Sequence, residues 1–409
     1  MENSLKKNTI WNTLGITLNS FNSLFFLIII NRVNGTDIAG IFSFAFSVAC
    51  LLYAVGIYSG RTYQISDIRN EFNDKEYLVH KLFSCCIMMI LATIFVLIRN
   101  YSLEKNIVII FLCLYKCLEA FSDTLYGYLQ KNLKLYIVGK SLFFKSLLGI
   151  IAFFVVDMLT YNIILSSLVL VIVNLLFILL YDLKKSKNYI SENNANIKKA
   201  CKIFKYGFSV FAFSFLAIFI VNIPKYIIDF MLSNVYQTIF SIIVMPGTVM
   251  SLCGQYIIAP MLTKIVDCYN SEDYKKFNDI IMKLVAILLV IGTIVEVIAA
   301  VLGIPILSFV YAINLNSYRF DLLLIILGAI MYAIANIYSS SLIVMRKNNV
   351  QLLIYSIDSI FGLIVCYLLI NNLGIHGATW SYLLTMLLHV LLYTVYYFKE
   401  LKKISIRND

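Results

Sequence analysis

About twelve stretches of roughly twenty mostly apolar residues, separated by short polar connections, leave this chain few ways to fold. A helix rising about 1.5 Å per residue needs about 20 apolar residues to cross the roughly 30 Å hydrocarbon layer of a bilayer. No water reaches the backbone there, so each crossing satisfies its own polar groups as a helix. The segments fall near 10–31, 38–59, 81–98, 106–129, 140–157, 162–181, 206–232, 235–258, 280–302, 320–344, 351–371 and 377–398. Composition agrees: 61% of the 409 residues are hydrophobic and 13% are charged, against about half and a quarter in soluble domains. Strand-length alternation is absent, which argues against an outer-membrane barrel. No apolar stretch leads into a small-residue cleavage site, so the first helix is expected to target the chain. The sequence predicts an all-α integral membrane protein without an extramembrane domain.

Lysine and arginine give the orientation. Basic residues concentrate in alternate connections: Lys6 and Lys7; Arg61, Arg69, Lys75 and Lys81; Lys131, Lys134, Lys140 and Lys145; the lysines from Lys184 to Lys205; Lys264, Lys275, Lys276 and Lys283; Arg346 and Lys347; and Lys399, Lys402, Lys403 and Arg407. The opposite side holds Arg32, Arg99, Lys105 and Arg319. This places both termini in the cytoplasm, with an even number of crossings of the plasma membrane. The net charge of +11 is thus a topology signal and an anionic-leaflet contact, not a nucleic-acid patch. The longest polar connection divides the chain into a six-helix lobe at 1–181, a basic cytoplasmic linker at 182–205 and a second six-helix lobe at 206–409. Ile-Phe-Ser at 41–43 recurs at 239–241, opening the second helix of each half. Halves of even helix number are parallel repeats, with any site expected at their interface.

A charged side chain at mid-membrane costs about 2.5–3.5 kcal/mol on the insertion scale, so the few present are informative. Lys116, Glu119 and Asp123 recur at i, i+3 and i+7 in the fourth segment and form one stripe. The stripe is either an intrahelical ion pair buried against neighbouring helices or a polar track facing a water-filled cavity. Lys225 and Asp229 share a face of the seventh helix. Lys225 can snorkel outward, but the adjacent Pro224 loosens the helix where the charge sits, which favours cavity lining. Glu296, Asp358, Asp157 and His389 are single ionisable groups in or near apolar runs. Glu296 and Asp358 are candidate ion-coupling sites, with satisfaction by a neighbouring helix as the plainer reading. Asn12, Asn19 and Asn22 step along the first helix, suited to interhelical hydrogen bonds or to sugar hydroxyls.

The stretch 221–265 holds Pro224, Pro246 and Pro260, three of the four prolines. Proline removes a backbone donor and clashes with the preceding turn, so both runs should be bent helices. Pro224, Pro246 and Gly247 are the hinge candidates; glycine weakens a helix by about 1 kcal/mol relative to alanine.

Catalytic and metal signatures are missing. The nine cysteines form no CxxC or zinc spacing, and His80, His376 and His389 are scattered, so no metal, disulfide or cofactor is expected. There is no G-x-x-x-x-G-K-[ST] loop for ATP and no soluble domain for a nucleotide-sugar, so the chain reads as no enzyme.

The run INRVNGTDIAGIFSFAFSVACLLYAVGIYSGRTYQISDI (30–68) resembles the first two helices of Wzx-type polysaccharide flippases, in the multidrug/oligosaccharidyl-lipid/polysaccharide exporter superfamily. YGYLQKNLKLYIVGKSLFFKS (126–146) looks like that family's fourth-to-fifth helix connection, and NIPKYIIDF with MPG and APMLTKI (222–265) is similar to its seventh and eighth helices. The resemblance implies the MATE-like exporter fold: a V-shaped pair of six-helix lobes around a cavity bounded by helices one, two, seven and eight. It implies as cargo an undecaprenyl-diphosphate-linked oligosaccharide, moved from the inner to the outer leaflet by alternating access for capsule, O-antigen or exopolysaccharide synthesis. Membrane lipids, and the polymerase and chain-length proteins of the same pathway, are the implied partners. Cationic cavity residues in such flippases hold diphosphate or acidic sugars, which makes Arg32, Arg61, Lys116 and Lys225 the substrate-binding candidates. Ion-gradient antiport in the family would give Glu119, Glu296 or Asp358 a purpose. A drug or small-cation antiporter shares the fold but calls for a carboxylate-lined site. A polysaccharide polymerase calls for a large outer loop, which is missing here.

Overall fold

The computed structural model describes residues 2–58, 60–67, 71–191 and 194–408. Arg69, counted among the basic residues above, lies outside them. Secondary structure in the described residues is helical throughout. The long helices are α1 (Lys6–Val33), α2 (Thr36–Ile57), α3 (Asp74–Arg99), α4 (Leu103–Lys131), α5 (Leu135–Thr160) and α6 (Ile163–Tyr189). They continue with α7 (Ile197–Met231), α8 (Asn234–Asn270), α9 (Tyr274–Tyr311), α10 (Asn316–Val344), α11 (Asn349–Leu373) and α12 (Ile375–Ile404). All but α4 are long and apolar enough to cross a membrane by length and composition. The exception carries Glu104, Lys105, Lys116, Glu119, Asp123 and Lys131, and its charges are accounted for by where it packs.

Several helices run beyond the segments read from the sequence. Helix α3 begins at Asp74 rather than at 81. There the Asn73 side chain accepts from the Glu76 amide at 2.9 Å and the Glu76 carboxylate accepts from the Asn73 amide at 2.9 Å, a reciprocal cap. Helix α5 begins at Leu135 rather than 140, and α9 runs past 302 to Tyr311. Pro305 follows directly on a wide turn, in the first turn of the segment Ile304–Tyr311. Helices α6 and α9 each contain a five-residue wide turn, Ile178–Asp182 and Ala299–Gly303. Helix α6 reaches Tyr189 and α7 starts at Ile197, so helix takes up much of the basic connection.

Two basic residues that the sequence reading counted with the cytoplasmic segments are buried inside helices. Lys81 is fully buried in α3, and its ammonium donates to the Gly56 and Ile57 carbonyls at 2.8 Å each. A lysine there satisfies the orphan carbonyls at the negative end of α2. Lys145 lies well inside α5, 6% exposed.

The chain divides into two compact units, Met1–Ile218 and Phe219–Asp409, the division falling within α7. In the first unit α4 is the central helix, packed against α2, α3, α5 and α6. Helix α1 runs along α5, where Gly15 and Gly139 let the backbones touch: a Cβ on Gly139 would lie 2.2 Å from the Trp11 carbonyl carbon. In the second unit α10 takes the central place, against α8, α9 and α12. Ile41-Phe42-Ser43 and Ile239-Phe240-Ser241 are buried, each in the second turn of its helix, α2 and α8.

Candidate functional site

The first unit encloses a polar cavity of about 150 Å³ lined by Asn19, Tyr53, Arg61, Glu119, Ser122, Asp123, Tyr126, Leu142 and Lys145. Most of its polar wall comes from one face of α4, because residues 119, 122, 123 and 126 follow the three- and four-residue steps of a helix. Arg61 reaches in from the short helix Gly60–Ser66. It donates to Asp123 Oδ1 at 3.2 Å, and its Nε donates to Gln130 Oε1 at 3.0 Å. Both charged side chains keep some exposure, 23% for Arg61 and 16% for Asp123.

One turn earlier on α4, Lys116 and Glu119 form an intrahelical ion pair at 2.7 Å. The Lys116 ammonium also lies 5.0, 5.5 and 5.1 Å from the ring centroids of Phe46, Tyr53 and Tyr115. Aromatic faces attract cations, so Lys116 is held beside the cavity while the Glu119 side chain lines it. Both readings of the stripe are therefore met in part: an ion pair within α4, and carboxylates at a polar cavity.

Part of the same wall belongs to a more buried network. Lys145 Nζ is 2.9 Å from Asp182 Oδ2, and donates to Ser122 Oγ at 2.9 Å and the Tyr126 hydroxyl at 3.2 Å. Asp182 also accepts from Ser122 and Ser141. It sits in the wide turn at the end of α6, 1% exposed. Ion pairs this far from water persist only when the remaining donors and acceptors are also satisfied, and the three hydroxyls do that. Asn19 and Asn22 of α1 meet Ser146 of α5, each contact at 3.2 Å, so two of the stepped asparagines make interhelical hydrogen bonds. Asp157 accepts from Asn34 and Ser166, both at 2.7 Å.

Of the four cationic candidates, the cavity therefore takes Arg61, with Lys116 beside it. Arg32 is exposed at the end of α1. Lys225 is half-buried on α7 in the second unit. Lys145, Asp182 and Gln130 were not singled out from the sequence. A lysine about ten residues into α5 lies roughly 15 Å from its start, a depth that becomes readable only once the helix is seen to begin at Leu135.

In the second unit, Glu296 is half-buried, and its Oε2 has no hydrogen-bond partner among the described residues. Asp358 and His389 pair with each other at 2.6 Å, both fully buried. Pro224 is buried within α7, which is helical from Ile197 to Met231. Pro246 likewise sits inside an unbroken helix, Asn234–Ile258, and the departure from α-helix comes at Ala259–Met261, around Pro260. Gly247 faces α10, where an added Cβ would lie 3.2 Å from Ala329 Cβ. The glycine thus has a packing role alongside any part in bending.

Solved structures of multidrug resistance MATE family transporters of the MOP superfamily share this architecture. An inward-facing one aligns with TM-score 0.64 at 12% identity, over 96% of this chain and 99% of that one. An outward-facing one gives 0.63 at 12% identity, over 98% and 96%. The Vibrio cholerae MATE transporter VcmN in its bent form gives 0.60 at 12% identity, over 99% and 98%. The chain has the MATE transporter fold. It is a multi-pass membrane protein, and its fourth and tenth helices are the central ones of the two units. The sequence matches no family model. The capsular polysaccharide biosynthesis protein CapF of Staphylococcus aureus is 24% identical over 375 residues, which span 91% of this chain and 93% of CapF.

Proposed function

We propose that this protein is a flippase that moves an undecaprenyl-diphosphate-linked oligosaccharide across the plasma membrane by alternating access, for capsule or related polysaccharide synthesis. The observation that carries this reading is a MATE fold whose sequence runs alongside a capsular polysaccharide biosynthesis protein for nearly its whole length. The cavity of the first unit supports it. Arg61 and Lys145 bring two cations to a space edged by Asn19, Ser122, Tyr53 and Tyr126, a donor set suited to phosphate oxygens and sugar hydroxyls. A guanidinium fork matches phosphate oxygens in pairs. Arg61 is held by Asp123 and Gln130, and Lys145 by Asp182. An arriving diphosphate would compete with these carboxylates for the two cations. Polymerase and chain-length proteins would receive the flipped unit.

The test is complementation. In a strain lacking the gene, the parent chain should restore surface polysaccharide, while Arg61→Ala inserts normally and restores little. Losing a charge-assisted hydrogen bond to phosphate costs about 1.5–3 kcal/mol, or about 10- to 150-fold in rate. Full restoration by Arg61→Ala overturns the cavity's role.

One observation favours a second reading. Glu119 and Asp123 also line the cavity, and carboxylates suit an antiporter of organic or inorganic cations. Under that reading Glu119→Gln and Asp123→Asn abolish drug resistance in a susceptible strain and leave surface polysaccharide unchanged.

A further inference from the structure

The second unit holds an ionisable pair that the cavity of the first unit does not use. Asp358 sits near the middle of α11 and His389 on α12, almost equally far in sequence from the turn at Gly374. The hairpin therefore brings them level. His389 Nδ1 lies 2.6 Å from Asp358 Oδ2, and neither side chain is exposed. Three tyrosine rings wall the imidazole: Tyr332 of α10, stacked at 5.5 Å; Tyr355 of α11, at 5.0 Å; and Tyr393 of α12, edge-on at 4.8 Å. The Tyr393 hydroxyl donates to Gln351 Oε1. Those tyrosines are the other ionisable groups at the pair. Among the described residues, no hydrogen bond or ion pair joins it to a lysine, an arginine or a second carboxylate. Asp358 Oδ1 and His389 Nε2 have no hydrogen-bond partner among the described residues.

Charge counting decides what such a pair holds. An ionised carboxylate beside a neutral imidazole buries one net negative charge, and an uncompensated ion away from water costs several kcal/mol. Adding one proton gives either imidazolium with carboxylate or imidazole with carboxylic acid, and both have no net charge. Burial therefore favours the pair with one proton bound over the pair without it. The aromatic faces also accept an imidazolium. The two unpartnered atoms are the positions at which a proton can arrive from hydronium or leave to water.

We infer that Asp358 and His389 form a proton-binding site, loaded with one exchangeable proton while the second unit is closed around it. This deepens the transport reading by naming the coupling ion and its site, and it assigns proton coupling to Asp358 with His389 rather than to Glu119, which is committed to Lys116. Proton binding itself is independent of the cargo.

The experiment uses the full-length wild-type protein in detergent, without cargo, at neutral pH and in sodium-free buffer. Nitrogen-15 spectra of the histidines, with His389 identified by loss of its signal in His389→Gln, report whether its ring is imidazolium. Infrared spectra, with Asp358 identified by the difference from Asp358→Asn, report whether its carboxyl is protonated. One of the two protonated forms is expected. A neutral imidazole together with an ionised carboxylate overturns the proposal. So does loss of the proton on adding sodium at constant pH, which would make the ligand an alkali cation. The protonation states are read on the wild-type chain, whether or not the protein flips a lipid. Coupling is read separately in vesicles: flipping should follow an imposed pH gradient in the parent and lose that dependence in Asp358→Asn.

Discussion

Replacing Lys145 by Met should destabilise the first unit far more than replacing Lys145 and Asp182 together. In the parent the ammonium has three partners, Asp182 and Ser122 at 2.9 Å and the Tyr126 hydroxyl at 3.2 Å. Lys145→Met leaves a carboxylate 1% exposed with hydroxyl donors alone, and Asp182→Asn leaves the ammonium in the same position. Breaking one side of a buried ion pair costs about 3–5 kcal/mol, whereas exchanging both partners for neutral groups of similar volume is about neutral. For a unit of about two hundred residues, 1 kcal/mol moves Tm by roughly 2–4 °C. Each single variant should therefore lose about 10 °C, and Lys145→Met/Asp182→Asn should recover most of that. The assay is thermal unfolding of purified protein in one detergent at one scan rate, followed by intrinsic fluorescence, because membrane proteins often unfold irreversibly and apparent Tm then depends on rate. Losses in the double variant equal to the sum of the single losses would show that the two charges are not coupled.

Three further outcomes follow from the same geometry. With the exposed native Cys86 and Cys201 replaced by Ser, a cysteine at Asn194 should react with an impermeant maleimide only after the cells are opened, and one at Asn372 in intact cells; the reverse pattern refutes the orientation. Lys116→Ala should impair export with normal insertion, because it leaves Glu119 at the cavity without its counter-ion at 2.7 Å, and Lys225→Ala should do so through lost charge on α7; Lys→Arg should retain more activity at both sites, and full export by the alanine variants would make both lysines structural. Pro246→Ala with Gly247 retained should raise thermal stability, since proline inside a helix costs about 3 kcal/mol, and slow flipping in vesicles if α8 must bend; unchanged flipping would show that α8 does not hinge at Pro246. Gly247 is kept because a Cβ there would press on Ala329 at 3.2 Å.

The helices and their order were legible in the sequence because an apolar run long enough to cross a bilayer has one way to satisfy its backbone. The α4 stripe was legible too, since Lys116, Glu119 and Asp123 share one helix and their register needs no tertiary information. Their partners were not. Arg61 meets Asp123, and Lys145 meets Asp182, across different helices. Such pairings depend on rotation and depth, which hydropathy does not encode. The ends were misjudged for a related reason: Asn73 and Glu76 read as a connection yet cap α3, and 135–139 read as a connection yet open α5, with Lys81 and Lys145 buried inside these helices. Asp358 was visible as a lone carboxylate in an apolar run, but His389 became its partner only once α11 and α12 formed a hairpin.

The central claim concerns cargo, and reconstitution tests it most directly. Purified protein in vesicles would be supplied with a labelled undecaprenyl-diphosphate-linked oligosaccharide, and the label reaching the far leaflet would be measured by its accessibility to an added enzyme or quencher. The account predicts protein-dependent flipping that Arg61→Ala slows by at least about 10-fold, the rate equivalent of one lost charge-assisted hydrogen bond. No flipping by the parent chain, with gradient-driven uptake of an organic cation by the same vesicles, would contradict it.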